Sequence, residues 1–343
     1  MQYIHASKNW PLFTWNSERL APLLIEISFK QGLLAGRTLD ADKVSVREAE
    51  REILLCDTIA SCAIDEVKLP RSSRIESGAC GDFSILFDAV SNKKKLLTAA
   101  RLAEWAKLAA PSVAGERDAS EDNRSAAPAM PVERLASEVR AFLAWFNYNR
   151  LPAPGSDEPE SAPTLWSEPL LRAGIAYLWF MALSPYGKES GRLARAICNL
   201  VLHRQGTCKT YYSLADSMLK DVEVYRHKLS EALHGGLDIS EWLEWFLSRL
   251  DHAISHWEQP LAPVLRKAKL RRKALSVPMN DRQRLVFETM LERGIKRINT
   301  STYARISDSS SDSALRDILE MIDWGLMRKN SAGGRSTNYS LKS

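Results

Sequence analysis

The 343-residue chain lacks any paired-cysteine motif: Cys56, Cys62, Cys80, Cys198 and Cys208 are scattered, odd in number and never spaced CxxC. That excludes a disulfide scaffold and a thiolate zinc site, and it points to a reducing compartment. Long apolar runs are missing too. No stretch reaches the roughly 20 residues of a membrane helix, and the opening MQYIHASKNW has no signal-peptide core, so a cytoplasmic protein without membrane association is expected. A large surplus of one charge is absent as well. The 47 Lys and Arg against 42 Asp and Glu leave +5, a total that decides nothing about nucleic acid, because placement matters more. Metal ligands are also short. Of His5, His203, His227, His234, His252 and His256, only His252 and His256 stand one helical turn apart, and no third ligand is legible beside them. No metal is expected.

What remains is an ordinary globular composition, 45% hydrophobic and 26% charged, long enough for two or three domains. Helical spacing dominates it. Met1 to about Val90 reads as largely helical, with Asn16 or Ser17 as candidate cap ahead of Leu20, Leu23, Leu24 and Ile27, and a second run over Val44–Ile64. Further helices are expected over Lys93–Trp105, Val132–Asn147, Tyr211–His234 and Ile239–Trp257, the last opened by a capping box of Asp238 and Glu241. The Trp and Phe stripes on these segments read as core. Ala110–Pro131 and Leu151–Pro163 read as loops, rich in Ala, Ser, Pro and charge.

The densest pattern is Leu170–Arg195, LLRAGIAYLWFMALSPYGKESGRLAR. An apolar helix carrying Ile175, Leu178, Trp179 and Met181 ends in a loop with Pro185 and Gly187. A second helix opens near Gly191 with Leu193, Ile197, Leu200 and Val201. Unpaired N–H groups and a positive dipole end make such a loop a common phosphate site. Farther on, Arg266, Lys267, Lys269, Arg271, Arg272 and Lys273 cluster with no acid among them, as either a solvated helix face or a phosphate-contacting one. From Asn280 three short helices are expected, the third capped near Ser311 or Asp312. Strands around Leu326–Lys329 and Asn338–Leu341 flank the turn SAGGRST, which gives a winged helix-turn-helix.

These segments resemble the Fic family, enzymes that typically transfer AMP from ATP to a hydroxyl of a target protein. The carriers are NWPLFTWN (Trp10, Pro11, Phe13, Trp15), GIAYLWF with SPYGKESGRLAR, and SALRDILEMIDWGLMRKNSAGGRSTNYSL. The family's core motif reads His-x-Phe-x-(Asp/Glu)-Gly-Asn-Gly-Arg-x-x-Arg, and here it is degenerate over Ser184, Pro185, Tyr186, Gly187, Lys188, Glu189, Ser190, Gly191, Arg192 and Arg195. Ser184 stands where the resemblance implies the general base, and a hydroxyl is no base near neutral pH. Lys188 replaces the Mg²⁺-binding carboxylate, and an ammonium cannot hold a metal ion. Glu189, Ser190 and Gly191 replace the Gly-Asn-Gly phosphate turn. Lys188, Arg192 and Arg195 remain as residual anion-binding groups. The resemblance also implies an inhibitory helix, whose Glu pairs with the motif's last Arg. Its counterpart runs from Ser61 to Val67, with Asp65 at the Glu position and Glu66 at the following Gly. Two arrangements stay open: Asp65 or Glu66 pairs with Arg195, or both are solvated at a helix end. The family's β-hairpin flap would fall in Ala110–Pro131, where no strand-like alternation is found.

The fold expected is mainly α, a Fic-like helical core with an N-terminal helical extension and a C-terminal winged helix-turn-helix. The boundaries are 1–90 for the extension with its degenerate inhibitory motif, 91–260 for the core, 261–279 for a basic linker and 280–343 for the winged helix. The function expected is a catalytically inactive Fic-like protein acting as a DNA-binding regulator or scaffold. The alternative is an adenylyltransferase with an altered site. No cofactor is expected, and ATP and Mg²⁺ enter only under the alternative. Double-stranded DNA would meet Ser309, Ser310, Ser311, Ser313 and Arg316 of the third helix, with Arg328, Lys329 and Arg335 on flanking phosphates. A protein partner on the winged helix and a homodimer stay open.

Overall fold

The computed structural model describes residues 3–38, 43–67, 69, 80–110, 130–151, 160–161, 168–205, 212–256, 258–330 and 337–342. The chain is mainly helical and divides into two compact units, Met1–Arg37 with Glu50–Gln259, and Thr38–Ala49 with Pro260–Ser343. Among the described residues no helix is long and apolar enough to cross a membrane.

In the first unit the helices are α1 (Ser17–Thr38), α2 (Lys43–Ile64), α3 (Gly81–Ser91), α4 (Ala99–Ala109), α5 (Val132–Tyr148), α6 (Pro169–Leu183), α7 (Ser190–Gln205), α8 (Leu214–Lys220), α9 (Val222–Leu233) and α10 (Ser240–Ser255). The first residues of α2 fall in the second unit. The hub is α6. Glu168 accepts from the Leu171 N–H and Pro169 opens the first turn, so the start is capped. Apart from Arg172 its sequence is apolar all round, and every residue from Leu170 to Phe180 is buried, as a helix wrapped on all sides must be.

Small residues let neighbours close on this hub. At Gly174 a Cβ would meet Leu243 Cδ2 at 2.8 Å, and the bare backbone there accepts the Trp242 indole N–H at 2.9 Å. Trp179 packs 5.2 Å from Trp145 and 5.8 Å from Phe13, so the N-terminal aromatic segment is core. That segment is held at its end by backbone hydrogen bonds from Thr14 to Leu237 and from Ile239 to Thr14. A two-residue antiparallel pair, Arg150–Leu151 with Glu160–Ser161 (β1 and β2), lies where a plain loop was expected.

Other local expectations are corrected by competing hydrogen bonds. The Lys93–Trp105 helix begins only at Ala99, because Thr98 caps it through the Arg101 N–H. The Tyr211–His234 run is two helices, broken at Asp221, whose carboxylate is drawn to Arg249. Asp238 and Glu241 form no capping box: Asp238 accepts from Ser240 instead, and Glu241 pairs with Arg19 and Lys228.

The second unit holds α11 (Glu258–Leu275, all but its first two residues), α12 (Asp281–Glu292), α13 (Thr300–Ser307) and α14 (Ser311–Asp323). An antiparallel ribbon, β3 (Met327–Lys329) with β4 (Tyr339–Leu341), follows them. Val286, Phe287, Met290, Tyr303, Ile318 and Met321 form its core, and Leu270 and Ala274 of α11 join it. Ile298 bridges to Tyr339 and adds a third edge to the ribbon. A full capping box at Asn280 and Gln283 starts α12. The third short helix is capped by Ser310, one residue before the expected Ser311 or Asp312. The tip between β3 and β4, residues 331–336 with Arg335 among them, lies outside the described residues.

Candidate functional site

The motif loop joins α6 to α7. Ser184 ends α6 in the left-handed region (φ 41°), its N–H donating to Phe180 O at 2.9 Å. Gly187 also has positive φ, 56°, a conformation glycine adopts without strain. A short 3-10 turn over Gly187–Glu189 leads into α7, and the Tyr186 N–H donates to Ser190 Oγ at 3.1 Å. Lys188 is exposed.

The two motif arginines lie inside a carboxylate-rich cluster. Arg195 is buried and donates through Nε to Ser61 Oγ (2.7 Å) and through Nη2 to Ser61 O (2.9 Å) and Asp65 Oδ2 (2.6 Å). Burial works against its charge, but the adjacent Asp65 outweighs that and holds it more firmly cationic than an ordinary arginine. Arg192 is buried too, with Asp82 of α3 at 3.4 Å, Asp65 at 3.9 Å and Glu189 at 4.0 Å. Burial raises the Asp82 carboxyl, while Arg192 pulls it the other way.

Of the arrangements left open by sequence, Asp65 meets Arg195. Glu66 turns away to Arg226 at 3.1 Å. The backbone decides between them. Glu66 sits at φ 57°, the left-handed turn that ends α2, and this is the position where the resemblance implies a glycine. Gly191 opens the space: a Cβ there would lie 3.2 Å from Asp65 Oδ2.

Sequence reasoning missed Asp82, whose only local signal is an acid in the first turn of an apolar helix. It also missed the support behind the site. Buried Asp57 accepts from Ser213 Oγ (2.6 Å), the Ala215 N–H (3.0 Å) and Asn199 Nδ2 (3.0 Å), tying α2 to α7 and α8. Tyr177 and Tyr225 share a buried hydroxyl contact of 2.7 Å close to Arg195, and burial raises both phenols.

These residues do not fit Mg²⁺ and ATP. Lys188 cannot ligate a cation, Ser184 is a helix cap rather than a base, and three carboxylates already answer the two arginines that phosphates would need. A cavity of about 280 Å³ lined by Phe146, Tyr148, Arg172 and Arg204 lies at the opposite end of α7. The expected flap region lies almost wholly outside the described residues, at 111–129.

In the second unit the expected DNA-facing serines are largely occupied locally. Ser309 Oγ contacts Ser307 Oγ at 2.8 Å, and Ser310 caps α14 while donating to Ser313 Oγ at 3.0 Å. Ser311, Arg316, Arg328 and Lys329 are exposed, Arg328 Nε donating to Ser340 Oγ. The basic cluster is less bare than its sequence. Glu48 approaches Lys267 and Arg271, Glu288 accepts from Arg271 at 3.2 Å, and Lys273 donates to Gly325 O at 2.8 Å. Those charges are partly spent on holding α11, whereas Arg266 and Lys269 are exposed.

Residues 3–78 match a family described as a domain of unknown function (DUF4172). No curated protein matches the chain. Among solved structures, a Fic family protein from Desulfovibrio desulfuricans G20 superposes with a TM-score of 0.53 at 14% identity, covering 94% of this chain and 96% of that one. The helical core, its hub α6 and the shared architecture over nearly the whole length make this chain a Fic-like protein in fold.

Proposed function

We propose that this Fic-like chain transfers no AMP and acts by recognition, as a cytoplasmic regulator that binds double-stranded DNA through the winged-helix arrangement of its second unit. One observation carries the reading: the second unit has 19 Lys and Arg against 11 Asp and Glu, whereas the rest of the chain has 28 against 31. A nearly neutral protein thus concentrates its positive charge in one part, as phosphate binding demands. Arg316, Arg328, Lys329 and Arg335 are the proposed phosphate contacts, and Ser311 the hydroxyl nearest to base edges. The closed arginine–carboxylate cluster and the lost base and metal ligand support the inert core and weigh against an adenylyltransferase with an altered site.

A protein-docking scaffold is the second reading. It is favoured by Leu315 and Leu319, which are 40% and 50% exposed on α14. Gel shifts with random duplex DNA across a salt series separate the two. DNA binding should weaken steeply with salt, and Arg328→Ala or Lys329→Ala should each lower the log–log slope by about one. No shift at low salt ends the DNA reading. Labelled ATP, Mg²⁺ and cell lysate should label no protein, and labelling that vanishes in Arg192→Ala would restore the enzyme.

A further inference from the structure

The outward face of α1 is apolar and uncovered. Ile25, Phe29 and Leu33 are 70%, 68% and 48% exposed and follow one another at intervals of four. They form one ridge about 12 Å long over roughly two turns. Beside it runs a second row at the same spacing, Ser28, Gly32 and Gly36, all exposed, and a Cβ at either glycine would meet nothing within 4 Å. Charge keeps to the edge. Lys30 is turned to Asp251 and Glu26.

A bulky ridge next to a small-residue row, both at intervals of four, is complementary to itself. Turned antiparallel about a two-fold axis between residues 30 and 31, Phe29 faces Gly32, Ile25 faces Gly36 and Leu33 faces Ser28. Every large side chain then meets a small one, and each contact occurs twice, as an isologous interface requires. The ridge alone exposes roughly 350 Å² per copy, nearly half of the roughly 800 Å² per partner of a standard interface. The glycine row and the flanks of the helix would supply the remainder. We propose that α1 is a homodimerisation helix, packing antiparallel on α1 of a second copy of this chain. This does not rest on the DNA reading.

Sedimentation velocity of the full chain from roughly 1 to 100 µM tests it. A concentration-dependent dimer is expected. Gly32→Leu should raise its dissociation constant at least about tenfold, because the added side chain fills the slot for Phe29. In the monomer the same side chain points into open space, so the circular dichroism and urea midpoint should hold or rise. Phe29→Ala should weaken the dimer as well. A monomer at every concentration, or a dimer indifferent to Gly32→Leu, overturns the proposal, and in the latter case some other surface holds the copies together.

Discussion

Replacing Asp65 by Ala removes the carboxylate that Arg195 meets at 2.6 Å and that Arg192 approaches at 3.9 Å. Breaking a buried ion pair by deleting one partner costs about 3–5 kcal/mol, because the other charge stays buried. Two features reduce that here. The Asp65 side chain is one-fifth exposed, so water reaches the vacated space, and Ser61 still accepts from Nε and Nη2 of Arg195. A loss of about 2–3 kcal/mol remains. Glu66 is the internal control. It is next in sequence and also paired, but its side chain is 66% exposed and that of Arg226 is 39% exposed, so Glu66→Ala should cost about 0.5 kcal/mol or less. Urea unfolding followed by tryptophan fluorescence reports on the first unit, where Trp105, Trp145, Trp179 and Trp242 are buried. With a slope of about 2–3 kcal/mol per molar urea, the Asp65→Ala midpoint should fall by about 1 M. A midpoint that moves no further than that of Glu66→Ala would refute the claim that the cluster is held by this pair.

Two further outcomes follow from the same unit. Gly81→Ala places a Cβ 1.9 Å from the Leu108 carbonyl oxygen, a backbone atom that cannot swing aside, so thermal unfolding should show a loss of about 2 kcal/mol or more despite better helix propensity. Asp57 is raised above the ordinary carboxylate value by burial, so the folded state holds its proton more tightly than the unfolded chain. Its contribution is complete below the unfolded value near about 3.9 and is lost as pH rises to the folded one. Across that window the wild type should lose stability relative to Asp57→Asn in urea titrations, and a constant difference between them would contradict the assignment.

Periodicity alone determined the helices whose burial is one-sided or complete. Val132–Tyr148, Pro169–Leu183 and the opening of α7 lie where the apolar spacing put them, because a helix of that length must bury its apolar positions wherever it packs. The residues of the motif loop were also enough to expect a site without base or metal ligand, since the alcohol of Ser184 and the amine of Lys188 supply neither an imidazole nor a carboxylate. Only tertiary structure decided partners. Asp65 and Glu66 are adjacent and chemically alike, and the left-handed turn at Glu66 sends one inward to Arg195 and the other out to Arg226. Asp82 reaches Arg192 across 110 residues, and Glu48 reaches Lys267 and Arg271 from the far end of the sequence. Local spacing carries no record of such meetings. Charges are paired by whichever helices the packed core brings together, and that core is a property of the whole fold.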